Sequence, residues 1–437
     1  MTGPADIVPE TLTHLLYAFA VTDGTSGTIQ LTKYGADVKS LSVGDTNEPG
    51  TNLYGCLKQM YLLKLRQRNL KVLLAIGGST SSERGDFNFV INPSARATFV
   101  ESAVEFVEDY GFDGIDIDYE YPANEAQGQG LADLVTALRS AFTVLQQRKR
   151  DSEPYQITVA VGAGPTGYNF LKIPQMDAAI DYWNLMAYDF TVSTSTHSDH
   201  HANLYGGIRT SVSGHSAVEL YVLRGATPSK INLGMPLYGY EFQETDGLRQ
   251  PHNRHGKTVG YKDLPSMHLP LSTSSPKILT ESPSYSLSEE NAKVFTDTAD
   301  VASHSYDSST RELITYDTAE ITRTKSQYII NNGLAGSMFW ELSTDKLGGD
   351  SLVGTAAAIF GTLDPTQNHI SYPNSKYENL RRNLGPRPPS AWIRDFQYSP
   401  GYPVLHCDHL WTAKCFTEGN QPGGTSNAWE DKGPSPA

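Results

Sequence analysis

Short apolar runs alternate with longer amphipathic segments along most of this chain, and no other feature restricts the possible folds as much. Residues 12–20 (LTHLLYAFA) read as a buried strand, and residues 72–76 (VLLAI), closed by Gly77 and Gly78, as another. Between them, Leu57, Met60, Tyr61, Lys64 and Leu65 fall on related faces of a helix over residues 53–68. Residues 96–110 (RATFVESAVEFVEDY) predict an amphipathic helix, started by a turn at Pro93 and Ser94 and stopped by Gly111. A strand at 114–118, a helix at 131–148 and strands at 157–161, 182–187, 231–237 and 336–340 continue the series. Apolar strands separated by helices imply an α/β fold whose parallel sheet is covered on both faces. Seven strands can be counted, so closure into a (β/α)8 TIM barrel calls for one more before residue 12.

Two stretches break the rhythm. Residues 241–312 are polar and rich in Ser, Thr and Pro, which makes them an insertion between the last two strands. The barrel would then occupy 1–240 and 313–382. Pro386, Pro388 and Pro389 mark a linker over 383–391. Beyond it, 392–437 is dense in aromatics: Trp392, Phe396, Tyr398, Tyr402, Trp411, Phe416 and Trp429.

The formal net charge of -14 argues against a nucleic-acid partner, because an acidic surface repels phosphate backbones. No apolar run approaches membrane-spanning length, so no membrane partner is expected. Residues 1–10 (MTGPADIVPE) lack the basic region and apolar core of a signal peptide. Three cysteines cannot build a disulfide scaffold. Cys407 and Cys415 are close enough in sequence for one local bridge, but three free thiols are equally compatible with the spacing.

The chemistry concentrates in residues 112–122, FDGIDIDYEYP. Strand side chains alternate, so Asp116, Asp118 and Glu120 share one face while Ile115 and Ile117 take the other. Three acids pointing into a barrel resist ionising together, and such coupling raises the pKa of a neighbour enough for it to donate a proton. An exposed acidic edge is disfavoured by the isoleucines. A metal site is disfavoured because no ligand spacing gathers histidines or oxygens from other strand ends.

Asp113, Asp116, Asp118 and Glu120 match the DxxDxDxE signature, and the chain thereby resembles family 18 glycoside hydrolases, which include the chitinases. Residues 71–79 (KVLLAIGGS), 184–190 (NLMAYDF), 232–240 (NLGMPLYGY) and 333–346 (GLAGSMFWELSTDK) are similar, in order, to the family's other strand motifs. The resemblance spans about 10–360, in the fungal style with an α+β insertion. It implies hydrolysis of chitin or chito-oligosaccharides without metal or cofactor. Glu120 would be the general acid, Asp118 would bond the substrate acetamido group, and Asp116 would share a proton with Asp118. Tyr188 would align the acetamido oxygen for attack. Asp189, Trp340, Met186, Tyr121, Gly78 and Tyr238 would bind the sugar. A secreted, extracellular monomer is the expectation that follows from family and substrate.

Several departures accompany the match. The family's first strand is missing, and Ala75 stands where a serine usually bonds the inner aspartate; both remove support from Asp116. Tyr240 replaces an arginine, and Tyr119 a tryptophan. The sequence therefore reads as an N-terminally incomplete chain, expected to fold poorly or turn over weakly. A weak or inactive chitin-binding lectin, or a truncated chitinase, is the alternative. An endo-β-N-acetylglucosaminidase is a third reading. Finally, residues 410–430 (LWTAKCFTEGNQPGGTSNAWE) resemble a small chitin-binding β module. Phe416 is its expected sugar-stacking residue and Trp411 part of its core, with Trp429 completing the motif and Cys415 in a position that is usually aromatic.

Overall fold

The computed structural model describes residues 3–42, 45, 50–264, 292–383, 391–392, 394, 398, 403–415 and 417–434. Eight strands form its largest sheet. They are β1 (His14–Thr22), β2 (Ile29–Leu31), β3 (Lys71–Gly77), β4 (Gly114–Asp118), β5 (Gln156–Gly162), β6 (Tyr182–Met186), β7 (Ile231–Pro236) and, after an interruption, β13 (Gly336–Trp340). Their spatial order is β13-β7-β6-β5-β4-β3-β1-β2. All pair in parallel except the short β2, which lies antiparallel on the last residues of β1.

The alternation seen in the sequence builds the core directly. Val72, Leu74, Ile76, Ile115, Ile117, Ile157 and Val159 leave the sheet on its outer face and meet Phe99, Val107, Leu134, Leu138 and Phe142 from the surrounding helices. Fully burying each such side chain contributes about 1.5–3 kcal/mol. The helix Pro93–Tyr110 shows how its ends are set. The Asn92 side chain accepts from the N–H groups of Ser94 and Ala95, and Gly111 closes the last turn at φ 81°, a left-handed conformation suited to glycine.

The sheet curls on itself. Laid flat, β1 and β13 would stand about 29 Å apart, at roughly 4.8 Å per strand spacing. Instead Phe19 of β1 stacks on Trp340 of β13, with ring centroids 5.4 Å apart. Yet among the described residues no hydrogen-bonded register joins these two strands. The consequence shows in burial. Every residue of β3 and β4 is buried, whereas β1 and β13 are largely half-buried. Seven parallel strands are therefore present, and the sheet is left with a seam between β1 and β13.

Between β7 and β13 a second, antiparallel sheet is inserted: β8 (Tyr238–Thr245), β9 (His252–Gly260), β10 (Lys293–Asp297), β11 (Ala302–Asp307) and β12 (Glu312–Thr315), in the order β10-β11-β12-β8-β9. It starts one residue after β7, slightly ahead of residue 241, because the apolar–polar alternation of β7 runs on through Leu237 into β8. Among the described residues of this stretch the only helical turn is the 3₁₀ turn Tyr261–Asp263. A third sheet, β14 (Pro403–His406), β15 (His409–Ala413) and β16 (Trp429–Pro434), is a small antiparallel module. The three prolines of the expected linker lie outside the described residues. Cys56, Cys407 and Cys415 are all unpaired, so the local bridge is not formed. Among the described residues no helix is long and apolar enough to cross a membrane.

Candidate active site

β4 delivers its carboxylates as its alternation requires. Ile115 and Ile117 are fully buried on the outer face, while Asp116 and Asp118 are buried on the inner one. Asp116 lies level with Ala75 of β3 and Thr158 of β5, and Asp118 level with Gly77. Thr158 Oγ1 donates to Asp116 Oδ1 at 2.5 Å, and Asn184 Nδ2 donates to the same oxygen at 3.0 Å. Asn232 Nδ2 in turn donates to Asn184 Oδ1 at 3.0 Å, extending the chain of polar contacts across β6 and β7. The expectation that Asp116 lacks support is thus corrected: Ala75 offers nothing, but Thr158 and Asn184 replace it.

Electrostatics grade the three acids. Burial raises Asp116 to about 6, opposed by the two donors. Asp118 is raised well above the usual carboxylate range, by burial first and then by the charges of Glu120 and Asp116, and its buried Oδ1 has no hydrogen-bond partner. Glu120 stands at the end of the strand, half-buried, with its N–H donated to Ser82 Oγ at 2.9 Å. Burial raises its pKa as well; the charges of Asp189 and Glu83 add to this while a hydrogen bond from Tyr121 opposes it. Such an acid retains its proton at a pH where an ordinary glutamate has lost it. Tight backbone geometry holds the neighbourhood. Gly77 sits at φ 118°, and a Cβ there would lie 2.1 Å from the Asp118 carbonyl oxygen.

Asp113, the first acid of the motif, lies away from this group. Its Oδ2 is 2.9 Å from Lys64 Nζ and accepts from Val72 N–H at 2.7 Å, while Oδ1 accepts from His369 N–H at 2.7 Å. Both Lys64 and Asp113 are essentially fully buried, so this is an anchor at the opposite end of the strands.

Around the acids the structure gathers most of the residues singled out from sequence. The Tyr188 hydroxyl points to Met338 Sδ at 3.7 Å, and burial, followed by the charges of Asp118, Asp189 and Glu120, raises its pKa. Gly234 leaves room for that ring, since a Cβ there would lie 2.9 Å from Tyr188 Cε1. Met186 and Tyr238 pack in the same cluster. Tyr238 donates from its hydroxyl to Asp189 Oδ1 at 2.5 Å, and Asp189 holds a positive φ of 60°. The Tyr121 ring lies over Gly162, and Gly78 faces the ring of Phe19. Trp340, at 37% exposure, lines the open side with its indole stacked on Phe19.

Sequence reasoning passed over Thr158, Phe19 and His201, and assigned no role to Asn184 or Asn232. The polar residues carried a signal, because Thr158, Asn184 and Asn232 each interrupt an apolar strand on its inner face. Phe19 carried none: its partner Trp340 comes from the far end of the chain.

In the C-terminal module, Trp429 is buried with Tyr398, Val404, Ala413 and Ala428, and its indole N–H donates to the Asn420 carbonyl at 2.7 Å. Trp411 is half-buried, donates to the His406 carbonyl at 3.1 Å and lies against Gly423. Trp429 is thus a core residue, and Trp411 is the indole that keeps part of its surface free. Phe416 lies outside the described residues.

The chain has relatives among known proteins. Residues 2–345 match the family described as Glycosyl hydrolases family 18. The chain is 39% identical over 393 residues to Chitinase 1 of Aphanocladium album, covering 87% of each. It is also 39% identical over 395 residues to Endochitinase 1 of Metarhizium robertsii, again covering 87% of each. Among solved structures it resembles a chitinase-like agglutinin from Robinia pseudoacacia, with a TM-score of 0.67 at 22% identity over 82% of this chain and 96% of that one, a likeness of fold alone.

Proposed function

Since the chain belongs to glycosyl hydrolases family 18, we propose that Glu120, Asp118 and Asp116 cut chitin by substrate-assisted, retaining hydrolysis. It is a glycoside hydrolase with chitinase function, of the kind its relatives in Aphanocladium and Metarhizium are named for. The observation that carries the mechanism is the grading of the acids: three carboxylates in one file, all raised, with the outermost at the mouth of the cleft. Glu120 gives its proton to the glycosidic oxygen. The acetamido carbonyl oxygen of the bound sugar attacks the anomeric carbon, the bond from that carbon to the glycosidic oxygen breaks, and the leaving sugar departs as an alcohol with the proton from Glu120. Asp118, whose free Oδ1 has no protein partner, accepts from the acetamido N–H. Asp116 shares the proton that the crowded pair cannot do without. Tyr188 holds the acetamido oxygen in line, and water, deprotonated by Glu120, then opens the intermediate with retention.

Asp189, Tyr238, Met186, Tyr121, Gly78 and Trp340 line the sugar's path, with the Trp340 indole as a flat apolar floor. The curled sheet is read as a (β/α)8-type barrel with seven parallel strands, open at one seam, the sheet of residues 238–315 as its insertion domain, and the C-terminal module as a chitin binder that uses the half-buried Trp411. The family and the substrate favour action outside the cell. A lectin-like function is the second reading, favoured by the open seam beside Trp340 and by the fold shared with an agglutinin.

The test is incubation of the chain with a soluble chito-oligosaccharide, following products by mass spectrometry, with Glu120→Gln in parallel. Cleavage by the parent and a loss of at least about a hundredfold in the variant is expected for removal of a general acid. Oligosaccharide binding without cleavage by the parent would favour the lectin.

A further inference from the structure

Beside Asp189 stands a histidine that none of the steps above employs. His201 is 1% exposed, and neither of its ring nitrogens has a hydrogen-bond partner. A buried imidazole with both nitrogens idle is unfavourable unless something supplies a partner in a working state. Its Nδ1 lies 3.9 Å from Asp189 Oδ1, about one ångström beyond hydrogen-bond contact. Backbone structure holds the pair at this separation, since Phe190 N–H donates to the His201 carbonyl at 3.0 Å and so ties the segment after β6 to the segment carrying the histidine.

Two phenols complete the surroundings. The His201 ring meets Tyr238 at 5.4 Å and Tyr240 edge-on at 5.2 Å between centroids. Both tyrosines belong to β8, so the inserted sheet reaches the cleft through them. Tyr238 already bonds Asp189 Oδ1. Burial would raise the Asp189 carboxyl, but His201, Tyr238 and Tyr240 together hold it below the ordinary range. Asp189 itself sits exposed to the cleft at a strained positive φ, a conformation that persists only when its surroundings fix it.

We propose that His201 is a positioning residue: it closes onto Asp189 when a sugar enters, fixing the carboxylate that binds the ring without touching the ring itself. This rests on the reading of the cleft as a chitin site. The ligand draws on the Asp189 carboxylate, the histidine swings the remaining ångström, and Nδ1–H replaces whatever share of Tyr238's hydrogen bond the sugar takes. Affinity for the sugar is then set partly by a side chain outside the contact surface.

Isothermal titration of chitotetraose into the Glu120→Gln protein reads binding free of turnover. In that background His201→Phe is expected to weaken binding about tenfold, the scale of one charge-assisted hydrogen bond. His201→Gln, which keeps a donor, should stay within about threefold. Added to Asp189→Asn, His201→Phe should cost nothing more, because the two residues act as one unit. Unchanged affinity in His201→Phe, or an equal loss on top of Asp189→Asn, overturns the proposal. If thermal melting shows that the phenylalanine variant does not fold, His201→Ala takes its place in the same cycle. Binding that follows this cycle while the parent fails to cleave would sink the hydrolase reading alone; no binding by Glu120→Gln protein overturns both.

Discussion

Asp116, Asp118 and Glu120 sit in surroundings that penalise their charge, and this has a thermodynamic counterpart. Asp116 keeps its proton up to about pH 6 in the fold, against about 4 in an unfolded chain. Between those values the folded state binds the extra proton, so the group's stabilisation is complete below about pH 4 and is lost as pH rises through 6. The difference is roughly 3 kcal/mol at neutral pH. Asp116→Asn removes the term. Urea melts at pH 4 and pH 7 should therefore show the parent losing about that much more stability than the variant on going to neutral pH. Parallel pH dependences would mean that the Thr158 and Asn184 donors already compensate the charge.

At the scale of the element, the DxxDxDxE motif divides at the start of β4. Asp116, Asp118 and Glu120 lie on the inner face or beyond the strand's end, whereas Asp113 precedes the strand and binds Lys64. Burial lowers Lys64 to about 8, with Asp113 the main influence opposing it. Asp113→Asn leaves that buried ammonium without its counter-charge and should cost about 3–5 kcal/mol by denaturant unfolding. The pH profile of cleavage by the protein that remains folded should not move, which separates an anchor from a catalytic acid. Elements were the most legible part of this chain. The strand expected at 114–118 is β4 to the residue, and the helix expected at 96–110 begins three residues earlier, at Pro93. Ends of elements were less legible because caps and turns set them; the 131–148 helix begins at Glu125, where Asn124 caps it.

For the molecule as a whole, the seam between β1 and β13 is the consequential feature. A parallel strand paired on one side leaves the amides of its other side without a ladder. Hydrogen exchange followed by mass spectrometry should find peptides over 336–340 exchanging at least about tenfold faster than those over 114–118, which lie paired and buried in mid-sheet. Equal protection would mean that the seam is covered in solution. A cooperative thermal transition with robust turnover would likewise set aside the expectation of poor folding.

Period and spacing alone determined the seven parallel strands, three of the helices that cover them and the file of acids on β4. The physical reason is that a side chain's face follows from its position along its own element. Only the tertiary structure decided what supports those acids. Thr158 and Asn184 reach Asp116, and Asn232 reaches Asn184, because the strands align in register, and Phe19 meets Trp340 because the sheet curls. His201 stands by Asp189 because a backbone hydrogen bond joins two loops. Contacts of that kind depend on register and curvature between elements, and no periodicity within one element encodes them.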